Sequence, residues 1–297
     1  VQANYVLSLC RAAFPAQTFE LRTFKTTGDK QLGVSLTESG KSLPKGLFTK
    51  ELEVAMLEGD ADFAVHSLKD LPTELPDGLQ LTAVSSREDV RDVLIAKGGV
   101  KRLSELPAGA TVATSSTRRR LQLLALRPDL IVVEIRGNVG TRLRKLSEQP
   151  ELHATILAAA GLKRLGYVLH PDGRLEGNDV PTVLSASLLS VEEMLPAVGQ
   201  AALGIESRAN DARIATVCAA LNHADTFAAV TAERALLRAM GGGCLAPIAA
   251  FGRVESGKVR VDAIWFPDAR ARRVSGEAPA AEAAELGRRL AHELKHH

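Results

Sequence analysis

Three stretches hold residue types that could do chemistry. The first is GGGCLAPIA, residues 241–249, in which three glycines precede Cys244. Glycine lets a backbone take positive φ or approach another group closely, so a thiol here is within reach of a bulky partner. A small residue buried in a tight turn is the plain alternative. The second is HSLKDLPTELPDG, residues 66–78, which sets the Lys69 cation beside the Asp70 carboxylate. Such a pair can stabilise developing charge or handle a proton. Asp and Pro are also ordinary turn formers, and a lysine there can simply be solvated. The third is basic. ATSSTRRR puts Ser115, Ser116 and Thr117 at a helix start ahead of Arg118, Arg119 and Arg120. RGNVGTRLRK then carries Arg136 and Arg142, and GLKRLG carries Lys163 and Arg164. Backbone N–H groups at a helix start, hydroxyls and guanidiniums together form an anion site, and arginine suits carboxylate or phosphate through paired hydrogen bonds.

The elements that must position these residues alternate. Strands are expected at FELRTF, ADFAVHS, LQLTAV, DVLIA, TVATS, LIVVEI, TILAAA and LGIES, with helical stretches such as TKELEVAMLEG between them. Strands alternating with helices imply an α/β architecture with largely parallel sheets. HSLKD follows ADFAV, so Lys69 and Asp70 belong at the carboxyl end of a strand, where open α/β sheets bind ligands. TVATS, LIVVEI and TILAAA each run into one of the basic motifs, so three successive strand ends present cations at one sheet edge. Residues 101–175 hold thirteen Lys or Arg against six Asp or Glu, a local charge of +7. Exposed helix faces are often basic as well, and Arg120, Arg144 and Lys145 are read that way. From Thr226 the order changes to helix, cysteine loop, strands near IAAFGRV, KVRVDAIWF and RRVSG, and a helix from about Ala280, a small α+β domain. Residues 166–191 show weak periodicity and many turn formers, and read as an irregular surface excursion.

The totals bound the answer. A length of 297 residues implies about two domains, with one or three possible. A formal net charge of +2 gives no reason to expect nucleic acid or an anionic membrane, and the aromatic fraction of 4% leaves few rings for base stacking. No apolar run approaches the roughly 20 residues of a membrane span. No nucleotide-binding glycine motif is present. The three cysteines, Cys10, Cys218 and Cys244, are far apart in sequence, which disfavours a disulfide framework or a metal site and fits a reducing, cytoplasmic compartment.

Taken together, the motifs TTGDK, KGLFTKELE, ADFAVHSLKDLPT, VATSSTRRR, RGNVGTRLRKL, ILAAAGLKRLG, LPAVGQAALGIE, TAERALLR and GGGCLAPIAAFG resemble the porphobilinogen deaminase (hydroxymethylbilane synthase) family, in order and over nearly the whole chain. The resemblance implies an α/β fold of two periplasmic-binding-protein-like lobes plus a small α+β C-terminal domain. It implies domain one at 1–86 with 201–220, domain two at 89–196 and domain three at 226–297, with the active site in the cleft between the first two. It implies that Cys244 carries a dipyrromethane cofactor through a thioether, and that four porphobilinogen molecules are condensed head to tail onto it with loss of ammonia. Hydrolysis then releases hydroxymethylbilane. Asp70 matches the family's catalytic aspartate. Lys45, Lys69, Ser115, Ser116, Arg118, Arg119, Arg136, Gly137, Asn138, Arg142, Arg164 and Gln200 fall at cofactor- or substrate-binding positions. The chemistry is consistent. Each pyrrole carries acetate and propionate groups, so the growing chain is a polyanion, and loss of ammonia leaves an electron-poor azafulvene whose coupling places positive charge on a pyrrole nitrogen. The resemblance implies no metal, a monomer, and a cytosolic or plastidic site.

The chain also departs from the family pattern. The opening strand, with its Arg and Ser, would lie before Val1, so the chain reads as a fragment, and at the other end HELKHH stops short of the usual last segment. QLGVSLTESGKSLP is longer than usual, and Ala201 stands where glycine is usual. Two other readings stay open: an inactive homologue, and a small-carboxylate binding protein built on the same two lobes. A pure binder needs neither Asp70 nor Cys244.

Overall fold

A computed structural model describes residues 1–24, 49–243, 246–268 and 270–296. In chain order its elements are α1 (Gln2–Ala13), α2 (Lys50–Glu58), β1 (Phe63–Ser67), β2 (Leu79–Val84), β3 (Asp92–Lys97), β4 (Thr111–Ala113), α3 (Thr117–Leu126), β5 (Ile131–Val133), α4 (Val139–Glu148), β6 (Ala154–Ala158) and α5 (Ala159–Arg164). There follow β7 (Val168–Leu169), β8 (Leu175–Glu176), β9 (Leu184–Leu188), β10 (Leu203–Arg208), α6 (Ala212–Leu221), α7 (Ala224–Ala239), β11 (Ile248–Glu255), β12 (Lys258–Trp265), β13 (Arg272–Pro279) and α8 (Ala283–His296). They form two compact units, 1–87 with 202–228 and 88–201 with 229–297.

The first unit is built on a three-stranded sheet of order β1-β10-β2. Val6 and Cys10 of α1 pack with Ala83, Ile205 and the α6 residues Ile214, Val217 and Cys218. Met56, Ala64 and Leu79 form a second cluster that includes α2. Both thiols are fully buried, and burial pushes that of Cys218 up to about 12.

The second unit holds a five-stranded sheet of order β5-β4-β6-β3-β9. Alternate residues of β3 serve opposite faces. Val93 and Ile95 join the cluster that includes Leu143 and Leu146 of α4, whereas Leu94 and Ala96 join the one that includes Leu123 of α3. A strand covered on both faces is largely apolar, as β3 is between Asp92 and Lys97 and β6 is apart from Thr155. The same unit contains the antiparallel sheet β11-β12-β13. Leu286, Leu290 and Leu294, spaced at i, i+4 and i+8 on α8, are its buried stripe. Gly287 is required there, since a Cβ would stand 2.2 Å from the Ala232 carbonyl oxygen on α7.

Three expectations change. The sheets are not largely parallel. Strand β10 returns from late in the chain, inserts between β1 and β2 and is antiparallel to both, and β3 is antiparallel to β6 and β9. FELRTF joins no ladder. The Phe19 ring instead lies 6.4 Å from that of Phe14, against the α1–α6 cluster, so its apolar residues serve packing. Residues 166–191 are not wholly irregular: they hold the β7–β8 hairpin and β9, whose Leu184, Ser185 and Ala186 are buried at the sheet edge.

Candidate functional site

Strands β5, β4 and β6 are adjacent and mutually parallel, so their carboxyl ends share one edge of the sheet. The three basic motifs follow those ends. The loops between strand and helix are locally determined. Ser116 caps α3 by accepting from the Arg119 backbone N–H, and Asn138 caps α4 by accepting from that of Thr141 at 2.9 Å. Gly137 has φ of 118°, and a Cβ there would meet Thr141 Cγ2 at 2.6 Å. Only glycine makes this turn. The Ser115 hydroxyl donates to the Ile135 carbonyl at 2.8 Å and accepts from the Ile135 N–H at 3.2 Å, tying the ends of two strands together.

Beneath this edge lies a buried ion cluster centred on Asp92, the first residue of β3. Its carboxylate is 0% exposed. It accepts from Arg118 at 2.7 Å, from Arg119 at 2.8 and 3.2 Å, and from the Gln200 side-chain amide at 2.9 Å. Arg118 also donates to the Leu195 carbonyl and Arg119 to that of Ile156. Burial alone would raise the Asp92 pKa, but the charges of Arg118 and Arg119, with their hydrogen bonds, outweigh it and hold the group well below the carboxylate range. Burial lowers the Arg118 pKa. Asp92 opposes that shift and neighbouring Arg119 adds to it.

Arg142 is in a different position. Its Nε donates to the Gly137 carbonyl at 2.8 Å, and among the described residues no carboxylate lies within ion-pair distance. Burial, then the nearby Arg119 cation, lowers its pKa. This half-buried guanidinium is held against a like charge.

The remaining predicted residues are spread out. Arg136 reaches Glu134 at 3.2 Å, and Arg164 is exposed at the end of α5. Gln200 is fully buried and holds Asp92 and the Val90 carbonyl. Lys145, read as solvated, donates to the Arg136 carbonyl at 3.1 Å, whereas Arg120 and Arg144 are exposed. In the first unit, Lys69 and Asp70 lie on a short 3₁₀ turn, 68–70, directly after β1. The Leu68 N–H bonds to the Ala202 carbonyl, and Leu68 and Leu71 cover Gly204, so the turn is anchored to β10. His66 Nε2 lies 2.9 Å from Glu206 Oε2 below it. The Asp70 carboxylate is on the exposed side. Lys45 and Cys244 lie outside the described residues.

Asp92 was not singled out from the sequence. Its signal was present: an acid heading the uniformly apolar run VLIA must be buried, and a buried acid must be paired.

Comparison with known proteins bears on the same residues. The family model described as "Porphobilinogen deaminase, dipyromethane cofactor binding domain" matches 1–216, and "Porphobilinogen deaminase, C-terminal domain" matches 227–296. The chain is similar to the porphobilinogen deaminase of Desulforudis audaxviator, with 50% identity over 89% of this chain and 79% of that protein. It is likewise similar to that of Trichlorobacter lovleyi, with 48% identity over 99% of this chain and 88% of that protein. Among solved structures, the periplasmic VFT2 domain of Bordetella pertussis BvgS matches at 16% identity and a TM-score of 0.40, covering 74% of this chain and 75% of that one.

Proposed function

The chain belongs to the porphobilinogen deaminase family, and from that premise we propose that Cys244, Asp70 and the basic strand ends do the work its reaction requires. The reaction is the stepwise head-to-tail condensation of porphobilinogen, four molecules per product, with release of ammonia and finally of hydroxymethylbilane. The enzyme is a transferase of tetrapyrrole biosynthesis with a dipyrromethane cofactor.

The donors present suit such a group. Acetate and propionate carboxylates are best met by a cation without an acid of its own, and Arg142 is such a cation among the described residues. That unmatched charge, beside three parallel strand ends, is the observation that carries the binding assignment. When bound, the dipyrromethane supplies the nucleophilic pyrrole on which growth begins. Cys244 would hold it through a thioether. Arg142, Arg136, Arg164, Lys69 and Lys45 would bind carboxylates, helped by Ser115, Ser116 and the N–H groups after Gly137 and Asn138. Arg118, Arg119 and Gln200 frame the site from below in the arrangement described, with Arg119 placing its charge beside Arg142. The Asp70 carboxylate stabilises positive charge as it develops on the substrate's pyrrole nitrogen and handles the proton of the departing amine. We assign these roles to three parts, 1–86 with 201–220, 89–196 and 226–297, working in a single chain in the cytoplasm.

The test is the intact mass of the purified protein. It should exceed the sequence mass by one dipyrromethane unit, and the protein should consume porphobilinogen. Cys244→Ser should lose both properties, and Cys10→Ala and Cys218→Ala should keep them. An increment that survives in Cys244→Ser defeats the attachment site. An unmodified chain with neither increment nor turnover defeats the function.

A further inference from the structure

The turn at Gly199–Ala201 is held in an unusual shape. Gly199 and Ala201 both have φ of 70°. Ala201 carries a Cβ, and residues with a Cβ rarely adopt this conformation. Such strain persists only where the surroundings over-determine it. Here the surroundings include Glu233 of α7, a carboxylate that is 0% exposed. Its Oε2 accepts from the Gly199 N–H at 2.7 Å, and its Oε1 accepts from the Gly252 N–H of β11, also at 2.7 Å. One buried side chain therefore clamps two backbone segments far apart in sequence. The helix itself presses on β11, since a Cβ at Gly252 would lie 2.7 Å from the Ala229 carbonyl oxygen.

The next residue of the turn is Gln200, whose amide holds Asp92 at 2.9 Å and the Val90 carbonyl at 2.8 Å. Asp92 in turn fixes Arg118 and Arg119. We propose that Glu233 is a positioning residue. From the helix that leads into the cysteine loop, it sets the Gly199–Ala201 turn, through it Gln200 and Asp92, and so the orientation of the arginine pair that frames the anion site. Both Glu233 oxygens are needed, because two N–H donors point at it. Glutamine offers one acceptor oxygen, and its NH₂ would face a backbone donor. This inference rests on the binding reading above.

The experiment compares Glu233→Gln, Glu233→Asp, Gln200→Ala and the Glu233→Gln/Gln200→Ala double variant with the unmodified protein. The readouts are KM and kcat for porphobilinogen, the fraction of molecules carrying the dipyrromethane mass, and Tm. Glu233→Gln should raise KM by on the order of tenfold and lower the loaded fraction, as misplaced binding groups do. Glu233→Asp, which keeps two acceptors, should lie between it and the unmodified protein. The double variant should be no worse in KM than the worse single variant, because both act along one chain of contacts. A purely structural role would lower Tm and yield while leaving the KM of the folded enzyme unchanged, and that result overturns the proposal. Should Glu233→Gln not fold, an unchanged KM in Glu233→Asp overturns it equally. Absence of cofactor mass and turnover in the unmodified protein would instead overturn the functional reading.

Discussion

Replacing Asp92 with Asn removes one charge and almost no volume, so its effect isolates the electrostatics of the buried cluster. In the native protein one carboxylate, 0% exposed, answers two guanidiniums that are 6% and 7% exposed. Asn leaves both cations buried without a counter-charge and turns one acceptor into a donor facing Arg118, Arg119 or Gln200. Removing one partner of a buried pair costs about 3–5 kcal/mol. At roughly 2–4 °C per kcal/mol for a chain of this size, Tm at pH 7 should fall by about 6–20 °C.

The pH dependence gives a second, independent arm. The folded-state pKa of Asp92 is depressed. Burial acts to raise it, and the Arg118 and Arg119 charges more than reverse that. A depressed carboxylate contributes stability fully above its unfolded pKa of about 3.9 and loses it as pH falls through the lower folded value. The Asn variant lacks that contribution at every pH. The Tm gap between the two proteins should therefore be constant from pH 7 to about 5 and begin to close below about pH 4. Circular dichroism melts in pH steps measure it. A gap under about 1 °C at pH 7, or one that widens on acidification, would refute the reasoning.

Two further expectations concern ligand binding and chemistry. Arg142→Leu should raise KM for porphobilinogen by about 10-fold or more, since each charge-assisted hydrogen bond contributes roughly 1.5–3 kcal/mol. Arg144→Leu, on the exposed face of the same helix, should change KM less than about twofold, and equal losses at both positions would assign the effect to general electrostatics. Asp70→Asn should keep the native Tm and cut kcat by roughly 10²-fold, while Asp70→Glu retains more activity. The reverse ranking would reduce Asp70 to a turn former ahead of Pro72.

Local pattern and long-range pairing differ in how well the sequence exposes them. The basic edge was legible because each of TVATS, LIVVEI and TILAAA runs directly into its motif, and β4, β5 and β6 are parallel neighbours. Helix α2 was legible in part. Of Leu52, Ala55, Met56 and Gly59, which helical spacing puts on one face, Ala55 and Met56 are buried and Leu52 is partly buried, but Gly59 is exposed as the C-cap while Glu53 is buried. The place of β10 between β1 and β2 was not, because LGIES carries no mark of which strands it will join from more than a hundred residues away. Strand β9, LSASL, was hidden by its small residues, since Ser and Ala do not signal a strand. The run Arg118–Arg119–Arg120 showed charge but not its use. Arg120 faces solvent as its sequence reading expected, but only the fold reveals that Asp92 takes up the first two.

That division matters for how a polyanion is recognised. Arginines exposed on a helix face bind carboxylates weakly, because water and salt screen them. Here Arg118 and Arg119 are fixed by Asp92, so they cannot turn outward to meet a ligand without breaking a buried pair. They still carry two positive charges against one negative. The surplus acts on Arg142, which is near Arg119, half-buried and without a carboxylate of its own among the described residues. Burial, and after it the Arg119 charge, makes a cation in that position less stable than one in water and lowers its pKa. On the binding reading proposed above, an incoming carboxylate would offset the cost of that burial and of the nearby Arg119 charge as well as forming hydrogen bonds. A lysine edge of the same net charge would lack this property, because flexible side chains would move apart and solvate. On the same reading, Asp92 would hold two arginines still and leave Arg142 as the cation that meets the ligand.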